Sequence, residues 1–403
     1  MGVLLCLAAS MLRAGNTATA TRAWIEVIAR KMSFDAVSVS LSLDSITASA
    51  RRAGEWATAV REIGPPGINT SRIAELEQLA KTAAPGLEPR EIAVKLSEIE
   101  SATPRYSVVQ IAAAVGAASS GFAFLNGAAV PELIAAAFSG GVGQCLRWWL
   151  SRRHLNHYGV AALSAAAASG VYVLAAAVLA RYFGFGFAHY PAGFIASVLF
   201  LIPGFPLIAA LFDLLQYQTV AALSRLAYGV MILLAVTFGL SIVIAVAGID
   251  LTRQPPLELT YPLKLSLRAV ASFVAGSAFA MLFNSSPRTV LAAGLLALGA
   301  NGLRLVLIDM GMMLAPAAFF AALAIGLVAI VVDRHFNVPR MAMAVAPTVI
   351  MVPGIYAFET VVLFNRGQVL EALQASAVCG FVIGAMAMGL ATARLFSRND
   401  AAK

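Results

Sequence analysis

From Ser107 onward the chain is a succession of apolar runs, each close to the roughly 20 residues a helix needs to cross a bilayer. Lipid offers no partner to a backbone N–H or C=O, so runs this long read as helices that bond their own main chain. Ten spans are expected, at about 107–125, 128–149, 157–180, 190–213, 219–248, 265–284, 288–307, 311–332, 340–364 and 368–393. Composition agrees, with 60% of residues hydrophobic and 12% charged, where a soluble domain carries roughly 25% charge. The fold class expected is an all-α polytopic membrane protein preceded by a small α/β domain.

That domain occupies residues 1–105. TRAWIEVIARKM reads as helix, DAVSVSLSLDSITASARR alternates like one half-buried strand, and TAVREI supplies a second. After the turn signal GPPGIN come Asn69-Thr70-Ser71 and then SRIAELEQLAKTA, which reads as a capped amphipathic helix, and EPREIAVKLSEIES forms another that ends before Pro104. The opening MGVLLCLAAS is apolar but lacks a basic n-region, so no cleaved signal is expected. The remaining boundaries are a first five-helix repeat at 106–248, a linker at 249–264 and a second five-helix repeat with a short tail at 265–403.

The net charge of +8 is not a nucleic-acid signature once it is divided by region. The first 105 residues carry 12 basic and 11 acidic side chains, and the excess lies between apolar runs. Arg152, Arg153, Arg288, Arg334, Arg340, Arg394, Arg398 and Lys403 fall on the side of the soluble domain, and only Arg181, Arg253, Lys264 and Arg366 fall on the other. The positive-inside rule then places both termini in the cytoplasm. Cys6, Cys145 and Cys379 have no paired spacing, and His154, His157, His189 and His335 lie in or beside loops without ligand spacing. Neither a disulfide framework, a metal nor a cofactor is read from them.

The two membrane halves repeat one another. FAFLNGAAVPELI from Phe122 parallels FAMLFNSSPRTVL from Phe279, and GQCLRWWL around Arg147 parallels ANGLRLVL around Arg304, both at an offset of 157. LFLIPGFPLIAALFDLL parallels TVIMVPGIYAFETVVLF at an offset of 150, which aligns Pro203-Gly204 with Pro353-Gly354. Five is odd, so the second copy starts on the opposite face and the repeats are inverted, an architecture of alternating-access transporters. Each Pro-Gly pair falls near mid-span, where proline removes a donor and clashes with the preceding turn. A broken helix there must face protein or a wet cavity. The expected substrate-binding set is Pro203, Gly204 and Phe205 with Pro353, Gly354 and Tyr356; the competing reading is a pair of kinks absorbed by packing.

Ionisable groups inside spans are costly and are functional candidates. Glu359 lies just past the second break and Asp213 past the first, with Arg225 as a charge partner for Asp213. Either carboxylate is a candidate proton carrier, and for Asp213 an ion pair in the headgroup region is the alternative. Arg147 and Arg304 are expected to snorkel to headgroups, with anion guidance a lesser reading. Asn126 and Asn284 are expected helix caps.

PGFPLIAALFD followed by AALSRLAYG, the RRHLN run at Arg152, Gly67-Ile68-Asn69, and FAMLFN, GLRLVL and VPG in the second half together resemble the bacterial threonine/serine exporter family. The resemblance covers nearly the whole chain. It implies a multi-pass protein of the bacterial inner membrane that exports threonine, serine or a related amino acid or organic acid, driven by the proton motive force. Some members of that family divide the two halves between subunits, and such pairs are linked to succinate export; this chain resembles the fused form. It departs from the family pattern at Thr17, Ala209, Tyr217, Ala222 and Phe358, which bears on substrate rather than fold. Expected partners are the small substrate, protons, the bilayer and further copies of the chain.

Two other functions are weighed. A membrane-anchored hydrolase is disfavoured because residues 1–105 hold no His, one thiol in Cys6 and no Gly-x-Ser-x-Gly elbow. A passive channel needs a continuous pore, which paired breaks in inverted repeats do not supply.

Overall fold

The computed structural model describes residues 1–64, 66–86, 88–153, 155–183, 191–248, 259–336 and 340–396. Most of the expected linker, with Arg253, and also His154, His189, Arg398 and Lys403 lie outside them, as do the side chains of Arg334, His335 and Arg340.

In the N-terminal part helices α1 (Gly2–Arg13) and α2 (Ala18–Lys31) precede strands β1 (Ala36–Leu41), β2 (Ser45–Arg52) and β3 (Glu55–Glu62), and α3 (Thr70–Thr82) and α4 (Pro89–Ser101) follow. Helices α1 and α2 lie between the three-stranded sheet on one side and α3 and α4 on the other. The strands form an antiparallel meander in the order β1-β2-β3, with Val39 opposite Ala48 and Ala48 opposite Ala59. What the alternation presents as one strand over DAVSVSLSLDSITASARR is a hairpin, because Ser42, Leu43 and Asp44 turn the chain and the Ser42 hydroxyl donates to the Asp44 carboxylate. Alternation continues through the turn, so periodicity alone does not reveal it. Burial alternates along β2, where Ile46, Ala48 and Ala50 face the core.

The apolar run at the N-terminus is α1, whose 12 residues are too short to span a bilayer. It is apolar on two faces because it is sandwiched: Leu4, Leu7 and Met11 pack with Ile28, Leu76 and Ile92, while Leu5, Ala8 and Leu12 pack with Ile25, Val39 and Ile46. The cap of α3 is Asn69, the first of the three polar residues Asn69-Thr70-Ser71, which accepts from the Arg72 N–H at 3.0 Å.

The membrane part contains α5 (Val108–Leu125), α6 (Val130–Ser151), α7 (His157–Phe183), α8 (Pro191–Ala196), α9 (Gly204–Leu215) and α10 (Thr219–Ala247). After these come α11 (Tyr261–Leu282), α12 (Pro287–Asp309), α13 (Leu314–Phe336), α14 (Arg340–Val349), α15 (Gly354–Asn365) and α16 (Val369–Leu395). Among the described residues seven helices are long and apolar enough to cross a membrane, and two bent pairs raise the number to nine. The remaining long helix is α6, at the place of the second expected span. It has 22 residues but carries Glu132 and Arg147 and falls outside that set.

Packing follows the same scheme in both halves. Helices α5 with α6, α6 with α7, α7 with α10 and α9 with α10 are neighbours, and so are α11 with α12, α12 with α13, α13 with α16 and α15 with α16. Without a hydrophobic drive between spans, close approach depends on small residues. A Cβ on Gly239 of α10 would meet the Ala162 carbonyl oxygen of α7, and one on Gly389 of α16 would meet that of Phe319 of α13. The halves join mainly where α5 crosses α11, and there Phe122 and Phe279 meet edge to face with ring centroids 5.7 Å apart.

Candidate functional site

Both Pro-Gly positions are breaks rather than gentle kinks. The chain bends by 62° between Leu201 and Gly204 and by 47° between Val349 and Gly354. Pro203 and Pro353 sit at the N-caps of α9 and α15 with nearly the same backbone, φ −78° and ψ 53° against φ −78° and ψ 64°. Having no N–H to bond the preceding turn, each proline ends one helix segment and fixes φ for the start of the next. The glycines let the two breaks touch. A Cβ on Gly204 would stand 3.1 Å from Val352, and a Cβ on Gly354 would stand 2.7 Å from both Ile202 and Leu199.

A cavity lies on each side of this contact. The one toward the soluble domain has a volume of about 380 Å³ and is bounded by Pro203, Gly204, Phe205, Ile202 and Val349. The one toward the far side has a volume of about 650 Å³ and is bounded by Pro353, Gly354, Tyr356, Leu199 and Val352. Both are in the size range of small-molecule sites. The residues expected to share one site are thus divided into two triads, one per cavity, and Leu199, Ile202, Val349 and Val352 form the partition between them.

The nearer cavity carries Arg147 and Gln144 of α6, His157 of α7, and Arg225 and Tyr228 of α10; its described lining includes no Asp or Glu. The His157 Nδ1 and the Tyr228 hydroxyl approach to 3.4 Å. Part of its wall is soluble domain, through Gly15, Gly67 and Ile68. Gly15 has φ +98°, a conformation that disfavours side chains, and a Cβ there would stand 2.9 Å from the Gly67 carbonyl oxygen and 3.3 Å from the Phe205 ring. The far cavity carries Arg304 and Arg366 together with the carboxylates of Glu132 and Glu359. Arg304 donates from Nη1 to the Met351 carbonyl oxygen at 3.0 Å, which tethers α12 to the unwound segment before Pro353. Both Arg147 and Arg304 thus line cavities, where the sequence led us to expect snorkelling.

Asp213 and Arg225 are paired, with Arg225 Nε 3.4 Å from Asp213 Oδ2 and side chains 6% and 0% exposed respectively. The pair is also bound to the soluble domain. Asp213 accepts from the Ala18 N–H at 3.1 Å, at the start of α2, and Arg225 donates to the Asn16 carbonyl oxygen at 2.5 Å. The corner between α1 and α2 is therefore clamped onto α9 and α10. A second clamp ties the same domain to the other half: the Thr70 N–H donates to the Phe283 carbonyl oxygen at 2.9 Å, and the Ser71 hydroxyl to that of Asn284 at 2.6 Å. Asn284 does more than end a helix, since its Oδ1 accepts from the Arg105 N–H at 2.8 Å and its Nδ2 donates to Asn69 Oδ1 at 3.2 Å. Asn126 is the C-cap of α5 and donates from Nδ2 to the Phe122 carbonyl oxygen at 2.7 Å.

Sequence reasoning passed over Glu132 and Gln144. Glu132 is 5% exposed and lines the far cavity, and its Oε2 is a buried oxygen without a hydrogen-bond partner among the described residues. A carboxylate in the apolar run VPELI was a visible signal. Gln144, one turn before Arg147 on the same helix face, is 8% exposed, and its Oε1 likewise has no partner among the described residues.

Comparison with known proteins bears on both halves. A threonine/serine exporter family model matches residues 3–247, which is more than half of the chain, and a second threonine/serine exporter model matches residues 268–396. The chain belongs to the threonine/serine exporter family. Among curated relatives of this exporter is the probable succinate transporter subunit YjjP of Escherichia coli strain K12, 25% identical over 227 residues, covering 55% of this chain and 84% of the relative. The protein of the same name in Klebsiella aerogenes is 25% identical over 228 residues, with the same coverage. No solved structure matches the exporter. Its function is the membrane efflux of small metabolites, and the apolar helices that make it a multi-pass membrane protein frame the two cavities described above.

Proposed function

We propose that the chain is a secondary exporter of amino acids such as threonine and serine, working by alternating access of two inverted five-helix repeats in the bacterial inner membrane. The observation that carries this reading is the reciprocal contact of the breaks. Gly204 packs on Val352 while Gly354 packs on Ile202, so positions related by the offset of 150 exchange places across the interface. Reciprocity of that kind is the signature of a two-fold axis. Phe122 against Phe279 supports it, because a residue that touches its own repeat counterpart must lie on the axis.

Each repeat has five spans in this reading, with α6 as the second, and the soluble domain and both termini are cytoplasmic. The nearer cavity then opens to the cytoplasm and the far cavity to the outside. Rocking one repeat against the other opens the partition toward one cavity while closing it toward the other. The cations of the inner cavity attract an anionic group, whereas in the outer cavity Glu132 and Glu359 offset Arg304 and Arg366, which favours release outward. Glu359 is the proton-coupling residue in this reading. Asp213, held by Arg225 and by the main chain of the soluble domain, serves as a clamp.

A second reading takes a dicarboxylate such as succinate as cargo, favoured by the relatives named for succinate transport and by an inner lining without carboxylates. Proteoliposomes loaded with labelled threonine, serine or succinate test both. Saturable efflux that responds to an imposed pH gradient is expected, and the preferred label decides the substrate; flux without saturation would mean a channel.

A further inference from the structure

Arg147 is the one arginine of the inner lining without an ion-pair partner among the described residues. Its guanidinium makes no hydrogen bond and no ion pair to them, whereas Arg225 beside it is taken up by Asp213 and Asn16. A guanidinium carries five donors in a rigid fork and keeps its charge, so a cavity wall that leaves it unengaged presents an anion site. Gln144 precedes it by one turn, with a buried amide oxygen that has no partner among the described residues. The first turn of α9, opening on the same cavity at Gly204 and Phe205, adds the positive end of a helix.

We propose that Arg147 binds the carboxylate of the exported molecule in the inner cavity, with Gln144 accepting from a neighbouring N–H or O–H of the same molecule. The ligand class is a small carboxylate with a hydrogen-bond donor near the carboxyl group, which an α-amino acid satisfies. Arg304, its repeat counterpart, already donates to the Met351 carbonyl oxygen beside the second break. Engagement with the main chain is therefore within reach of this arginine position, and the two repeat-related arginines differ in their partners. This inference rests on the exporter reading above.

The test uses the full chain in proteoliposomes, measuring threonine efflux with threonine and threoninamide as competitors on the inner-cavity side. In the wild type, threonine competes and threoninamide, lacking the carboxylate, does not. Arg147→Gln raises the half-saturation concentration by about ten- to a hundredfold, the loss expected for a hydrogen-bonded charge, and Arg147→Lys recovers part of it. Unchanged half-saturation in Arg147→Gln, or equal competition by threoninamide in the wild type, overturns the proposal and leaves the exporter reading standing. Absence of any saturable efflux of threonine, serine or succinate by the wild type overturns both. The amide comparison needs no variant, so a misfolded Arg147→Gln does not spare the proposal.

Discussion

Asp213 and Arg225 meet at 3.4 Å with Asp213 fully buried and Arg225 nearly so, and each also grips the main chain of the α1–α2 corner. Removing one member of such a pair leaves the other charge buried without compensation, at a cost of about 3–5 kcal/mol. Asp213→Asn is expected to lower thermal stability in detergent by that order. Replacing both, as Asp213→Leu with Arg225→Met, removes the stranded charge and should recover much of the loss. If the double variant still couples efflux to a pH gradient, the pair is a clamp and not the proton carrier.

The reciprocal glycine contacts make a second expectation. Gly354→Ala drives a methyl to 2.7 Å from Ile202 and Leu199, and over-packing of this kind costs about 1–3 kcal/mol. Efflux should fall because the partition is wedged. Ile202→Ala in the same chain should restore part of it, read as a coupling in a double-mutant cycle; additive effects would place the two residues in independent roles.

Glu359 and Glu132 are both carboxylates of the outer cavity. Glu359→Gln should flatten the response of efflux to an imposed pH gradient while leaving counterflow exchange of labelled substrate in place. Glu132→Gln is expected to raise thermal stability, since a neutral amide replaces an acidic side chain that is 5% exposed. A pH response lost in Glu132→Gln and kept in Glu359→Gln would reverse the assignment.

Glu77 of α3 gives a pH dependence in the soluble domain. Burial pushes its carboxyl above the ordinary range, outweighing the attraction of Lys81, and Asp333 raises it further. A raised carboxyl favours the protonated form when folded, so its penalty is absent below the unfolded value and grows as pH rises toward the folded one. Glu77→Gln should therefore melt higher than the wild type at pH 8, with the advantage shrinking toward pH 4.5. An advantage that is constant with pH would assign the effect to packing.

Nine of the ten expected spans, counting each bent pair as one, were legible because the spacing of polar breaks is set by bilayer thickness, and Pro203-Gly204 and Pro353-Gly354 were legible because proline cannot continue a helix on its N-terminal side. The division of the candidate site was not. Nothing in the local sequence says that Phe205 faces one cavity and Tyr356 the other, because that depends on how the repeats cross. The clamp escaped for the same reason: Ala18 and Asp213 are 195 positions apart, and a main-chain N–H carries no residue signature. Arg147 looked like a snorkelling residue because helix ends favour that reading, and only the packing of α7 and α10 around it separates a cavity wall from a lipid face.

The thin partition between the breaks also has an electrical meaning. On the orientation proposed, aqueous space reaches toward it from both sides, and Leu199, Ile202, Val349 and Val352 are the insulator that remains. Voltage falls across the least polarisable layer, so most of the drop is focused there instead of being spread over the roughly 30 Å hydrocarbon thickness. An anion that passes this layer outward gains about 2.3 kcal/mol per charge for each 100 mV, inside negative, whereas a zwitterion gains nothing. Whether efflux speeds up with voltage would therefore report the net charge moved per cycle, cargo and coupled protons together.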